Sequence, residues 1–177
     1  MVLSSIVGRL GLAVATAILL ASCGENLSFS IGGQSPEDAA IQVIEDDLGP
    51  TLGWTLVATC DVDQPEIGDE FRCTATNDSG EIAEFVVLVG DDEVNVNTTN
   101  IIANSALQGA EAAALDLIVN STGVEYSEGS VDCGTASIVI PASGEVDCLL
   151  TELDGSETEI YLYDINPDSG DFTLAAR

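Results

Sequence analysis

Gly68-Asp69-Glu70-Phe71-Arg72-Cys73 is answered later in the chain by Gly144-Glu145-Val146-Asp147-Cys148, and the fold is read outward from that pair. Beyond both stretches the spacing holds. Cys73 and Cys148, Gly80 and Gly155, and Phe85 and Ile160 all stand 75 residues apart (148 minus 73, 155 minus 80, 160 minus 85). Cys60 and Cys133 are 73 apart, so the copies differ in length only between their cysteines. A period this long marks a small domain written twice, not a solenoid unit.

Each copy begins with a helical stretch. In the first, Ser35-Pro36-Glu37-Asp38 reads as an N-cap, a proline at the first helical position and an acid at the third, a capping box with negative charge at the positive helix end. Ala40, Ile41, Ile44 and Leu48 recur at helical spacing, and Gly49-Pro50 is expected to stop the helix. In the second, Asn104 or Ser105 caps a helix with a buried stripe of Leu107, Ala110, Ala114, Leu117 and Ile118, closed by Gly123. After each helix the period changes to two. The expected strands are Trp54 to Cys60, Phe71/Cys73/Ala75, Ile82 to Val89 and Val94/Val96, then Val124 to Cys133, Val146/Cys148/Leu150, Ile160/Leu162 and Phe172/Leu174. Ser79-Gly80 and Asp154-Gly155 fall at matching hairpin turns, where a positive φ is wanted.

The expected fold class is therefore α+β: tandem modules over residues 35–100 and 101–177, each one N-terminal helix packed on a roughly four-stranded antiparallel sheet. Trp54, beside the helix stop, reads as a core residue. Modules of this size are marginal on core area alone, and cross-links are the usual compensation. Cys60, Cys73, Cys133 and Cys148 allow three pairings, of which the local one, Cys60–Cys73 with Cys133–Cys148, is favoured because each pair flanks a turn-rich stretch in one copy. Each such loop is worth on the order of 3 kcal/mol by chain entropy. A zinc site fits poorly, since there is no His and no close Cys-x-x-Cys knuckle.

The N-terminus carries an address. Met1 to Arg9 form a short, weakly basic start, and Leu10 to Leu20 an apolar run too short to span a bilayer but suited to secretion. Leu20-Ala21-Ser22-Cys23-Gly24 resembles the lipobox of bacterial lipoproteins, in which small residues precede a cysteine that is acylated and becomes the new N-terminus. On that resemblance residues 1–22 are a signal peptide, Cys23 is the lipidation site, and 23–34, rich in Gly, Ser and Asn, is a flexible tether. Cleavage leaves 155 residues and a net charge of −29 (177 minus 22; two bases against 31 acids). The expected location is extracytoplasmic, on the cell membrane, held by lipid.

The lipobox, the helix, Gly68-x-x-Phe71-x-Cys73, Gly80 and the Val-rich strand together resemble a small helix-plus-sheet domain of unknown function found in actinobacterial secreted proteins and lipoproteins. The likeness covers Ser35 to Asn97 best and Ser105 onward more loosely. The second copy has Val146 in place of the aromatic and one residue fewer between Gly144 and Cys148. The resemblance implies a membrane-tethered module with a disulfide and no catalytic residues.

Composition removes several function classes. Of 177 residues, three are Lys or Arg and 31 are Asp or Glu, with no His, for a net charge of −28. The three basic residues are Arg9, Arg72 and Arg177, so there is no histidine base or ligand, no Schiff-base lysine and no P-loop lysine. Nucleic acid is excluded as a partner because phosphate binding needs a basic patch. A hydrophobic share of 46% separates the chain from acidic disordered tails. High salt screens the self-repulsion of such a surface, which points to a saline habitat.

Three groups of residues carry candidate chemistry. Asp61 with Asp63, or Asp91, Asp92 and Glu93, supply carboxylates for a small hydrolase, but adjacent acids among 31 carry little information and read as solvated loops. Asp164, Asn166, Asp168 and Asp171 place oxygens on alternate residues of a turn, as calcium loops do, although Gly170 falls one position late for an EF-hand and a plain hairpin is the competing reading. Tyr161 and Tyr163 alternate with Ile160 and Leu162, so one pair faces the helix and the other outward; an outward tyrosine pair is a candidate binding face, with cover for the interface between the modules as the structural alternative. The resulting expectation is a non-enzymatic binding or interaction lipoprotein of the cell envelope, with no cofactor and an envelope protein partner of basic character. A calcium-dependent adhesive or sensing protein is the alternative and a carboxylate hydrolase a distant third.

Overall fold

The computed structural model describes residues 27–31, 33–166 and 170–176. Residues 1–22, expected as a signal peptide, and Cys23 and Asp168 lie outside these. In chain order the elements are β1 (Leu27–Ser30), α1 (Pro36–Gln42), a π-helical stretch (Val43–Leu48), α2 (Gly49–Leu52), β2 (Val57–Cys60), β3 (Glu70–Thr76), β4 (Ile82–Val89), β5 (Glu93–Thr98) and β6 (Ile101–Ile102). They continue with α3 (Asn104–Thr122), β7 (Val131–Asp132), β8 (Ile138–Val139), β9 (Val146–Thr151), β10 (Glu157–Asn166) and β11 (Asp171–Ala176). The protein is α+β, with antiparallel sheets throughout. It divides into two compact units, the first running to Ala103 and including Ala136–Val139, the second holding Asn104–Thr135 and the chain from Ile140.

In the first unit a five-stranded sheet has the order β1-β5-β4-β3-β2. Alternation decides its faces: Phe71, Cys73 and Ala75 of β3, Ala83, Phe85, Val87 and Val89 of β4, and Val94 and Val96 of β5 are buried against Ala39, Ala40, Val43, Ile44, Leu48 and Leu52 of the helical layer. Burying a side chain the size of Phe85 or Ile44 contributes roughly 1.5–3 kcal/mol. Ser35 caps α1 as its sequence requires, its hydroxyl accepting from the Asp38 N–H at 3.1 Å. Trp54 is only partly buried at the rim of this core.

Gly49-Pro50 does not end the helix. The chain passes into a π-helical turn in which the Gly49 N–H donates to Ile44 O, five residues back, and helical geometry resumes through Leu52. Pro50 then occupies the opening of α2, the helical position where a missing N–H is best tolerated, and the wider π turn relieves the clash its ring makes with a preceding carbonyl in α-helical register. The true stop is Gly53, at φ +79°, with the Trp54 N–H closing back on Gly49 O at 2.8 Å. A side chain at Gly49 is crowded, since a Cβ would lie 3.0 Å from the Trp54 carbonyl oxygen.

Two other expectations change. Within the segment read as a tether, Leu27–Ser30 is a strand paired antiparallel to β5, with Phe29 packed against the core. The domain boundary also moves from 100/101 to 103/104, because Ile101 joins the first core and Ile101–Ile102 pair with Ile138–Val139.

The second unit has the sheet order β11-β10-β9-β7. Val131, Val146, Cys148, Leu150, Ile160 and Leu162 are buried, as are Leu107, Ala110, Ala113, Ala114 and Ile118 of α3, which packs on β7. Leu117, expected in the buried stripe, is half-exposed and Ala113 takes its place. Gly123 ends α3 at φ +69°. The strand expected from Val124 begins only at Val131, after an irregular stretch.

Hydrogen bonding and register in the two units correspond closely. Cys73 pairs with Phe85 and Cys148 with Ile160. The β3–β4 turn is closed by Gly80 N–H to Asn77 O and Asn77 N–H to Glu81 O, and the β9–β10 turn by Gly155 N–H to Glu152 O and Glu152 N–H to Ser156 O. These pairs keep the 75-residue offset seen in the sequence.

Candidate functional site

Both local disulfides are present, Cys60–Cys73 and Cys133–Cys148. The first joins directly opposed residues of β2 and β3, and the second links the chain just after β7 to β9. Each therefore staples the outermost strand of its sheet to the next one in. Beside each cysteine pair a helix glutamate meets the same edge: Glu45 Oε1 accepts from the Ala58 N–H at 2.8 Å, and Glu111 Oε1 accepts from the Cys133 N–H at 2.7 Å. A carboxylate that satisfies an outward N–H removes a point at which another strand pairs. These two glutamates escape a reading of the sequence, because two acids among 31 give no signal until the helix is set against the strand.

Ile160 and Leu162 are buried, while Tyr161 and Tyr163 alternate to the other face, half-buried, with ring centroids 5.6 Å apart. Across the sheet Tyr161 lies in register with Asp147 and Ala175, and Tyr163 with Thr173. On the β11 side the residues opposite both tyrosines, Ala175 and Thr173, are small. The third tyrosine, Tyr126, donates its hydroxyl to Glu152 Oε2 at 2.9 Å, and Thr158 donates to Oε1 of the same carboxylate at 3.1 Å. Burial first, then the hydrogen bond to Glu152 and its charge, raise the Tyr126 phenol above the usual 10.0. Asp154 is held below the usual carboxylate range, chiefly by the Ser156 hydroxyl and then its backbone N–H.

Asp164 and Asn166 lie at the end of β10, and Asp171 opens β11. Asn166 and Asp171 are directly opposed, Asp164 sits at φ +52° where the register shifts, and all three are exposed. Among the described residues, no group of three or more Cys, Asp or Glu side chains converges as a metal site. Asp61 and Asp63 are exposed in the loop after β2, and Asp91, Asp92 and Glu93 with Ser30 line an open depression beside the β4–β5 turn. The two carboxylate groups lie on different loops of the first unit. No helix among the described residues is long and apolar enough to cross a membrane. Set against family models, curated proteins and solved structures, the chain matches none.

Proposed function

We propose that this is an extracytoplasmic lipoprotein, anchored to the cell membrane by lipid on Cys23, whose two units are copies of one disulfide-bonded module. The modules act without catalysis, as binding domains of the cell envelope for a protein partner of basic character. The observation that carries this reading is the conjunction of a lipobox-like Leu20-Ala21-Ser22-Cys23-Gly24 with two disulfides, the state cysteine pairs adopt in an oxidising compartment. The common turn and register pattern supports the duplication. The charge of −28 supports a basic partner, since complementary fields steer association and screen out acidic competitors.

The address is tested by Cys23→Ser, which releases the protein to the medium, and by mass spectrometry of the mature N-terminus, which finds acylated Cys23. Retention of the serine variant on the membrane overturns it. For binding, the association rate with a basic envelope protein falls steeply with added salt, and indifference to salt overturns the electrostatic reading. A calcium-dependent form of the same role draws on the opposition of Asn166 and Asp171. It requires a melting temperature that rises with calcium beyond the effect of magnesium and sodium at equal ionic strength.

A further inference from the structure

The five- and four-stranded sheets end in four outermost strands, β1, β2, β7 and β11, and two of these edges are met by a carboxylate. Glu45 meets the β2 edge and Glu111 the chain after β7, while β1 lies alongside β5 and is itself the end of the first sheet. The fourth edge is β11, the terminal strand of its sheet among the described residues. β11 is the counterpart of β5: Val96 pairs with Val87 as Leu174 pairs with Leu162, and Val87 and Leu162 keep the 75-residue offset. Burial differs between the two in the way a missing strand produces. Val94 and Val96 are fully buried where β1 lies alongside and Phe29 adds to the core, whereas Phe172, Leu174 and Ala176 are only half-buried.

We propose that β11 receives an added strand from the partner, an extended segment alternating apolar and basic residues, in the position that β1 fills beside β5. This rests on the binding-module reading above and names its surface. Backbone pairing supplies affinity, and alternate side chains supply selectivity. One set of side chains turns inward over Phe172, Leu174 and Ala176 as Phe29 does in the first unit. The other set turns to the outer face, where Ala175 and Thr173 are small and Asp147, Glu159 and Asp171 supply negative charge around Tyr161 and Tyr163. The tyrosines stand two strand spacings from the added strand, about 10 Å, a distance an arginine and a tyrosine side chain span together for a cation–π contact. Phe172–Ala176 itself contains no charge, proline or glycine to discourage pairing.

The test uses the full chain and, as probe, an octapeptide alternating arginine and valine, with a second peptide of the same sequence N-methylated at alternate residues. The expected result is binding of the first with slowed amide exchange confined to Phe172–Ala176, and at least tenfold weaker binding of the second, which keeps every charge but loses strand N–H groups. Ala175→Lys, on the outer face, lowers affinity by about tenfold or more with an unchanged melting curve. Equal binding of both peptides with no protection at β11 overturns strand addition and leaves the binding-module reading standing. Failure of the chain to bind either peptide or any basic envelope protein at low salt overturns that reading itself. Protection of β11 without peptide, in a dimer seen by sedimentation, overturns the assignment to a partner and makes a second copy the occupant.

Discussion

Replacing Glu111 by alanine removes the acceptor for the Cys133 N–H, and the loss follows from the geometry. The contact is 2.7 Å, and Cys133 is only 9% exposed, so water is a poor substitute. A hydrogen bond to a charged group contributes roughly 1.5–3 kcal/mol. Against this, alanine improves helix propensity by a few tenths of a kcal/mol. Removing one of 31 acids also relieves self-repulsion, an effect that vanishes where about 1 M salt shortens the screening length to roughly 3 Å. At that salt Glu111→Ala is expected to lower stability by about 1–2.5 kcal/mol in chemical denaturation and to speed exchange of the Cys133 amide. Glu111→Gln, which keeps an oxygen acceptor without the charge, loses half of that or less. Glu45→Ala acts in the same way on the Ala58 amide, at 2.8 Å. An alanine variant as stable as the parent in high salt, or a glutamine variant as damaged as the alanine one, would refute the reasoning that these carboxylates guard the strand edges.

Replacing Cys60 and Cys73 together by serine opens a loop with a sequence separation of 13 and is expected to remove about 3 kcal/mol, read from denaturant midpoints; the Cys133–Cys148 loop, separation 15, gives a nearly equal loss. Gly49→Ala forces a methyl to 3.0 Å from the Trp54 carbonyl, a backbone atom with no freedom to swing aside, and is expected to lower stability by roughly 1–3 kcal/mol in thermal unfolding. Tyr126 binds its proton more tightly folded than unfolded, so its stabilising contribution is complete below pH 10 and is lost as pH rises through its raised folded value. Tyr126→Phe removes that slope from the alkaline limb of the stability profile and deletes one phenol titration, raised above the usual value, from the ultraviolet absorbance.

Edge control links the fold to the proposed role. A net charge of −28 keeps copies apart in dilute salt, but high salt shortens that repulsion, and an antiparallel sheet with uncovered ends then becomes a template for pairing. Glu45 and Glu111 each block one such end. Of the two other ends, β1 and β11, it is β11 that lies beside the tyrosine pair, so its edge and its chemistry occur at one place.

What could be read from residues alone is what near neighbours in the chain encode. Alternation over Glu70–Thr76 and Ile82–Val89 announced strands, Ser35-Pro36 announced a capped helix, and the turn-flanking cysteines announced their own local pairing. The same alternation set Tyr161 and Tyr163 on the face opposite Ile160 and Leu162, and the burial of the aliphatic pair decided which face is outer. The passage of the helix through Gly49-Pro50 was not legible, because a proline is excluded only from a given hydrogen-bond register and the π turn changes that register. Nor was Leu27–Ser30 legible as a strand, or the pairing of Ile101–Ile102 with Ile138–Val139. Such short segments carry too little periodicity to declare themselves, and they become strands only where a distant backbone presents unmet N–H and C=O groups. The glutamate contacts and the open side of β11 belong to the same category. Side-chain patterning tells each strand which way to face, while its neighbours are chosen by backbone hydrogen bonds that any residue type can make.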